Sequence, residues 1–152
     1  MPATALLLSL LGLVPFVFFA LGAVGHMPAT AERMLVSLID YAALILAFSG
    51  GVHWGLALVP EAIRPTMRFA GGVLPLIVAW IGLVLGQMID PTVALVVLVL
   101  GYLATVLTEH RAAQRLLVPP RYVWIRWGFS VVAVVLMVIV LVLRGIGQTI
   151  VF

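Results

Sequence analysis

The sequence predicts an all-α integral membrane protein, a single bundle of five transmembrane helices. Hydrophobic residues make up 65% of the 152 residues and charged residues only 9%, whereas a soluble domain carries about 25% charged residues. Apolar runs of about 20 residues, the length that crosses a bilayer, recur along the chain. The polar connections between them are too short to hold a soluble domain. Most of the surface is therefore expected to be solvated by lipid.

The apolar runs place the helices, within one domain over residues 1–152, at about 3–25, 35–59, 69–88, 92–110 and 122–144. We interpret the first run as an uncleaved helix, because no positive side chain precedes it and it is too long for a signal peptide. Pro15 and Pro75 lie inside the first and third runs, where proline kinks a helix. Pro28 and Thr30 predict a turn and a cap before the second run.

The arginines predict the orientation of the bundle. Five crossings put six of the eight on one side, Arg64, Arg68, Arg111, Arg115, Arg121 and Arg126, and two on the other, Arg33 and Arg144. The side richer in arginine faces the cytoplasm. We therefore predict a cytoplasmic N-terminus, an outside C-terminus and a location in the bacterial inner membrane, with lipid and other membrane subunits as partners.

Composition also excludes classes of function. The basic residues are all arginine and are scattered, whereas nucleic-acid binding needs a basic face on a folded domain. Cysteine is absent, which removes disulfides, thiolate metal sites and cysteine nucleophiles. The chain has no phosphate-binding loop, no H-E-x-x-H motif and no G-x-S-x-G elbow. We predict a protein that is not an enzyme, holds no metal and binds no nucleic acid; the sequence identifies no cofactor.

The stretch from Tyr41 to Leu58 is the most unusual apolar segment, because small and polar residues are concentrated in it. At 3.6 residues per turn one narrow stripe carries Asp40, Ala43, Ala47, Gly51 and Gly55. Small residues allow membrane helices to approach closely, which predicts packing roles for six glycines: Gly51, Gly55, Gly71, Gly72, Gly82 and Gly86. His53 points to the opposite face, so we expect this helix to be enclosed on both sides at the centre of the bundle.

His53 has a structural and a functional interpretation. Pro75 cannot donate a hydrogen bond to the carbonyl of Gly71, and we expect the His53 ring, or a water on it, to satisfy that group. A histidine beside an interfacial Trp54 is the structural reading. A ligand, quinone partner or proton carrier is the functional one. A haem between His53 and His110 is also geometrically conceivable, since both fall near the inner side.

Asp40 is a second polar residue that needs a partner. A carboxylate about one turn inside the boundary is costly unless it is paired or protonated. Gln87 and Arg144 end the third and fifth helices at the same outer level. We therefore expect Asp40 to pair with Arg144 or to accept a hydrogen bond from Gln87.

Two motifs carry a resemblance to a known family. They are Y-x-A-x-I-L-x-F-x-G-G-x-H-W-G at Tyr41–Gly55 and L-P-x-x-x-A-W at Leu74–Trp80. With the V-P-P-R-Y-V-W-I-R-W-G-F-S segment, they resemble an uncharacterised bacterial and mitochondrial membrane family of unknown function that includes transmembrane protein 69. The resemblance covers nearly the whole chain. It implies a multi-pass inner-membrane protein and no assigned activity; Ser49 departs from the expected larger apolar residue or glycine.

Two functions remain open. The first is a non-enzymatic accessory or assembly subunit of a larger membrane complex, respiratory or photosynthetic, favoured by the tiny loops and small-residue faces. The second is a binder or carrier of a small lipophilic molecule, such as a quinone, tetrapyrrole or lipid, at a site lined by His53, Trp54, Ser49, Trp80 and Asp40. A proton-coupled transporter is disfavoured, because five helices leave no room for a paired inverted repeat.

Overall fold

The computed structural model describes residues 3–60, 62, 64–115, 118 and 120–147, with the backbone alone at residues 3, 5, 6, 120 and 121. The predicted tail beyond residue 147 and the Arg121 side chain lie outside this description. The described part contains five helices, α1 (Ala3–Ala23), α2 (Pro28–Ala57), α3 (Pro65–Met88), α4 (Pro91–Gln114) and α5 (Pro120–Gly145). The predicted all-α class is confirmed.

Proline sets the start of four of these helices: Pro28, Pro65, Pro91 and Pro120. Its fixed φ suits the first helical turn, where its missing N–H costs nothing. Asp90 adds a side-chain cap to α4, accepting a hydrogen bond from the Thr92 backbone N–H at 2.7 Å.

The predicted helix bounds are too short at several ends. α2 starts at Pro28 rather than residue 35, α3 starts at Pro65 rather than residue 69, and α4 continues to Gln114 rather than residue 110. Glu32 and Arg33, expected in a loop, therefore belong to α2. Hydropathy locates the part of a helix that lipid solvates, whereas the backbone hydrogen bonds continue through polar residues beyond it.

The helices form a ring in which each packs against the next along the chain. α1 and α5 close the ring, and α2 also contacts α4 across it. At the centre, the Phe16 ring meets Tyr41, Tyr102 and Phe129 edge to face, with centroids 5.2, 6.3 and 5.8 Å away. Tyr102 is fully buried and donates to the carbonyl of Ala42 at 3.0 Å. A hydrogen-bonded hydroxyl lets a tyrosine occupy this apolar core.

The prediction that α2 is enclosed is correct for part of the helix only. It contacts α1, α3 and α4, and its residues from Leu35 to Gly50 supply much of the core. Beyond Gly50 one face opens. A side chain at Gly51, Gly55 or Gly71 would meet nothing within 4 Å, so the predicted packing roles of these three glycines are wrong within this chain.

Close helix contacts occur instead at other glycines. Gly50 lies against the carbonyl of Gly72, which brings α2 and α3 together backbone to backbone. Gly82 and Gly86 face Leu98 and Ala94 of α4 rather than α2. The small-residue rule holds, but it operates on a different face of α2 from the predicted one.

The four helices from α2 to α5 are long and apolar enough to cross a bilayer, and α1 adds a shorter apolar stretch, Leu7–Ala23. With short connections and five helices, the start of α1 and the end of α5 fall at opposite ends of the bundle. We call the end that carries Arg64, Arg68, Arg111, Arg115 and Arg126 the basic end.

Candidate functional site

An ion pair is buried between α4 and α5 near the basic end. Glu109 is 0% exposed and Arg126 8% exposed, and the Arg126 Nε lies 3.5 Å from the Glu109 Oε1. Tyr122 donates its hydroxyl to the same oxygen at 3.2 Å. The Arg126 guanidinium also lies over the Tyr102 ring, 5.8 Å from its centroid, a favourable cation–π arrangement.

This pair is incompletely satisfied. Five buried polar atoms of the pair and of its neighbours on α5 have no hydrogen-bond partner within the described chain: Glu109 Oε2, Arg126 Nε and Nη2, Trp127 Nε1 and Ser130 Oγ. The 3.5 Å separation is longer than a charge-assisted hydrogen bond, and contact through Nε is not the bidentate geometry that arginine and carboxylate prefer. Buried polar groups are normally satisfied, so water or a ligand is expected at these atoms.

A pocket of about 280 Å³ reaches Arg126 from between α1, α2 and α5. Its lining is mostly apolar, including Phe48, Val52, Ile125 and Phe129, with Ser9, Ser49 and Tyr122 as further polar members. The Ser49 hydroxyl is already donated to the carbonyl of Leu46 at 2.6 Å. We call this space the Arg126 pocket.

A second cleft, of about 400 Å³, lies at the basic end between α2, α3 and α4. Its ionisable lining residues are all basic, His53, Arg64, Arg68, Arg111 and Arg115, and Thr108 is a further polar member. No acidic side chain is among its described lining residues. We call it the arginine cleft.

The backbone of α2 holds one of these arginines, and another has an unusual backbone conformation of its own. Arg68 donates to the carbonyl of Leu56 at 3.0 Å, which fixes it against the end of α2. Arg64 precedes α3 with φ 53°, a left-handed conformation that is uncommon for a residue other than glycine.

At the opposite end of the bundle, Arg144 pairs with Glu32 and donates to the carbonyl of Ala23 at 3.1 Å. This contact joins α5, α2 and α1. The predicted pairing of Arg144 with Asp40 is therefore wrong. Asp40 is exposed and has neither hydrogen bond nor ion pair to any residue that the structure describes, Gln87 included.

The predicted ligand-site residues do not converge. Ser49 lines the Arg126 pocket and His53 the arginine cleft. Trp54 lies edge to face with Phe69, centroids 5.3 Å apart, and covers Gly72. Asp40 and Trp80 are exposed, Trp80 by 62%. The expected hydrogen bond from His53 to the Gly71 carbonyl does not form, although both residues line the arginine cleft.

Comparison with known proteins identifies the family of this chain. Residues 1–142 match the family model described as protein of unknown function DUF3429. The chain belongs to the DUF3429 family. It is also 35% identical over 106 residues to transmembrane protein 69 of Xenopus tropicalis, a match that covers 66% of this chain and 40% of that relative. The match thus spans less than half of the relative's length, and no solved structure matches the chain.

In this DUF3429 protein the buried pair was missed by sequence reasoning. From the sequence, Arg126 counts only as one of the six arginines on the predicted cytoplasmic side, and Glu109 falls at the end of the fourth apolar run with no assigned partner. One signal was available: on the predicted cytoplasmic side, six arginines are accompanied by only two carboxylates, Glu61 and Glu109. A carboxylate at the end of an apolar run among so many guanidinium groups is a natural partner for one of them.

Proposed function

We propose that this DUF3429 protein is a non-enzymatic accessory or assembly subunit of a larger membrane complex, respiratory or photosynthetic, and that it docks through the outward stripe of α2. This outward stripe consists of Asp40, Ala47, Gly51 and Gly55; the fifth residue of the predicted stripe, Ala43, is buried inside the bundle. The observation that carries the proposal is the exposed Asp40 carboxylate within a membrane-spanning helix.

Asp40 lies far from the polar end of α2, measured along the helix axis. It follows Glu32 by eight residues, which corresponds to about 12 Å along α2 at 1.5 Å per residue. The Glu32–Arg144 pair marks the polar end of the bundle, so Asp40 lies about two turns further into the apolar region. A carboxylate at such a depth is costly in lipid unless another group pairs with it.

The partner's chemistry follows from the stripe. Gly51 and Gly55 present bare backbone, against which another helix can pack closely. Beside them, a negative carboxylate favours a partner that supplies a basic side chain at the same depth. The occupant we infer is therefore a transmembrane helix of another protein that bears Lys or Arg opposite Asp40. A second copy of this chain would bring a second carboxylate to that position instead.

Site-specific photocrosslinking tests this assembly. A benzophenone side chain at Gly51, in the native membrane, is expected to label a transmembrane peptide of another protein that contains a basic residue. Asp40→Leu should reduce the yield at least tenfold. A benzophenone at Leu100, exposed on α4, is the matched control and should not label that peptide. Labelling of this chain itself, of lipid alone, or at equal yield in Asp40→Leu would refute the proposal.

The orientation belongs to the same proposal: a cytoplasmic N-terminus and a bacterial inner-membrane location, supported by the concentration of arginines at the basic end. The chain has no cysteine, so single cysteines report cleanly on exposure. In intact cells, a membrane-impermeant maleimide should label Ile89→Cys and not Arg115→Cys. The reverse pattern would overturn the orientation.

The arginine cleft favours a second candidate, binding of a lipid with an anionic headgroup. Arg64, Arg111 and Arg115 bring positive charge to one cleft, and basic pockets between membrane helices bind such headgroups. The left-handed backbone of Arg64 fits a residue held in place for a ligand. His53 lines this cleft, as the sequence-based alternative requires.

Native mass spectrometry in vesicles of mixed cardiolipin and phosphatidylcholine tests it. The purified chain should retain cardiolipin, and Arg64→Gln with Arg111→Gln should lower retention at least tenfold. Arg33→Gln, at the other end of the bundle, removes one charge as a control and should change nothing. Equal retention in all variants would reject the cleft as a lipid site.

A further inference from the structure

We infer that the Arg126 pocket is a binding site for an uncharged lipophilic carbonyl compound of the quinone class, whose ring carbonyl accepts a hydrogen bond from Arg126. This inference is independent of the docking stripe and of the arginine cleft.

The first step is the unused hydrogen-bonding capacity of Arg126. Its side chain is 8% exposed, it lines the pocket, and its Nη2 has no partner among the described residues. A buried donor without a hydrogen-bond partner is destabilising, because nothing replaces the water that it loses on burial. An acceptor that enters the pocket recovers that cost, which a purely apolar occupant cannot do.

The second step is charge. Glu109 already lies beside Arg126 and is itself fully buried, so the pair carries no net charge. An anionic occupant at the guanidinium would be repelled by the Glu109 carboxylate beside it. A neutral acceptor such as a carbonyl oxygen takes the free N–H without placing another charge in an apolar space.

The third step is shape and access. A volume of about 280 Å³ lies at the small end of ligand pockets, which begin near 300 Å³. It accommodates a ring headgroup and not a long tail. The walls include the aromatic rings of Phe48 and Phe129. Phe48 is 76% exposed, so the pocket borders the lipid-facing surface, where an isoprenoid or alkyl tail can leave.

The test uses a photoactivatable azido-benzoquinone with a decyl tail as the probe, on the full chain in nanodiscs. We expect covalent labelling of peptides from α1, α2 or α5 that line the pocket, displaced by excess decylubiquinone. Val52→Phe fills the pocket from α2 and should lower displaceable labelling at least tenfold. Val131→Phe adds the same volume at an exposed site on α5 outside the pocket and should leave labelling unchanged.

A second variant isolates the role of Arg126. The double substitution Glu109→Gln with Arg126→Gln removes both charges together, so no unpaired ion remains, and should weaken probe binding about tenfold. Labelling that decylubiquinone does not displace, labelling that persists in Val52→Phe, or a pocket found to contain only water or a lipid acyl chain would overturn the inference. Because Val52→Phe leaves the ion pair intact, its result decides the question even if the double variant fails to fold.

Discussion

Gly50 of α2 faces the carbonyl oxygen of Gly72 in α3, so closely that one added methyl group would overlap it. The two helices meet backbone to backbone at this point, and the Trp54 ring covers the same glycine of α3. Close backbone approach maximises van der Waals contact between membrane helices, where no hydrophobic force favours association. The adjacent Gly51 has open space around it. Neighbouring glycines in one motif therefore have different roles.

Exchange of each glycine for alanine should separate these roles. Gly50→Ala forces backbone apart and should lower the free energy of unfolding by about 2 kcal/mol or more, in the range of overpacked cores. Gly51→Ala meets no atom and improves helix propensity, so it should leave that energy unchanged or raise it by up to about 1 kcal/mol. Thermal unfolding of both variants in one detergent measures the difference. Equal destabilisation would contradict the assignment of the contact to Gly50.

Gly50 and Gly51 also show how much of this fold the sequence predicts. Number, order and approximate location of the helices follow from hydropathy, because lipid solvation is a property of whole segments. The rotation of α2 about its axis is not fixed in that way. Gly50 and Gly51 lie about 100° apart around a helix, and either could face α3. The G-x-x-x-G spacing to Gly55 favoured Gly51, whereas Gly72 packs against Gly50.

The buried Glu109–Arg126 pair should show strong non-additivity. Arg126→Leu leaves a fully buried carboxylate without its cation and should cost about 3–5 kcal/mol. Glu109→Leu should be similarly harmful, because the guanidinium is then unpaired. The double variant removes both charges and should recover most of the loss, since apolar replacement of a buried pair is often neutral. Unfolding measurements on the four proteins complete the cycle; costs that simply add would argue against a coupled pair.

The Glu109–Arg126 pair could not be predicted from the sequence, for a physical reason. Glu109 and Arg126 lie 17 positions apart on different helices, and their approach depends on how α4 and α5 rotate. Either residue alone is compatible with a solvated helix end. Burial distinguishes a paired core carboxylate from a surface one, and only the assembled bundle provides it.

A second double-mutant cycle can be measured at Arg144, at the other end of the bundle. Glu32 and Arg144 are paired but partly exposed, and exposed pairs contribute about 0.2–1 kcal/mol. The coupling energy between Glu32→Gln and Arg144→Gln should fall in that range. Between Asp40→Asn and Arg144→Gln it should be close to zero, because Asp40 lies about two turns deeper. A larger coupling for Asp40 than for Glu32 would restore the pairing expected from the sequence.

Asp90, in the connection between α3 and α4, should give a small acid-dependent effect. Hydrogen bonds from the Thr92 side chain and then from its backbone N–H hold the pKa of Asp90 below its ordinary value. A carboxylate with a lowered pKa stabilises the folded state at neutral pH and loses that contribution as pH falls through the folded pKa. The unfolding temperature of the wild type minus that of Asp90→Asn should therefore be positive near pH 7 and fall towards zero as the pH drops below the ordinary pKa of aspartate, about 3.9. Asp90→Ala removes the N-cap altogether and should lie below both at every pH. The subtraction cancels the contributions of all other ionisable groups, because these groups are common to the three proteins. A difference that does not change with pH would show that the Asp90 charge contributes nothing to the cap.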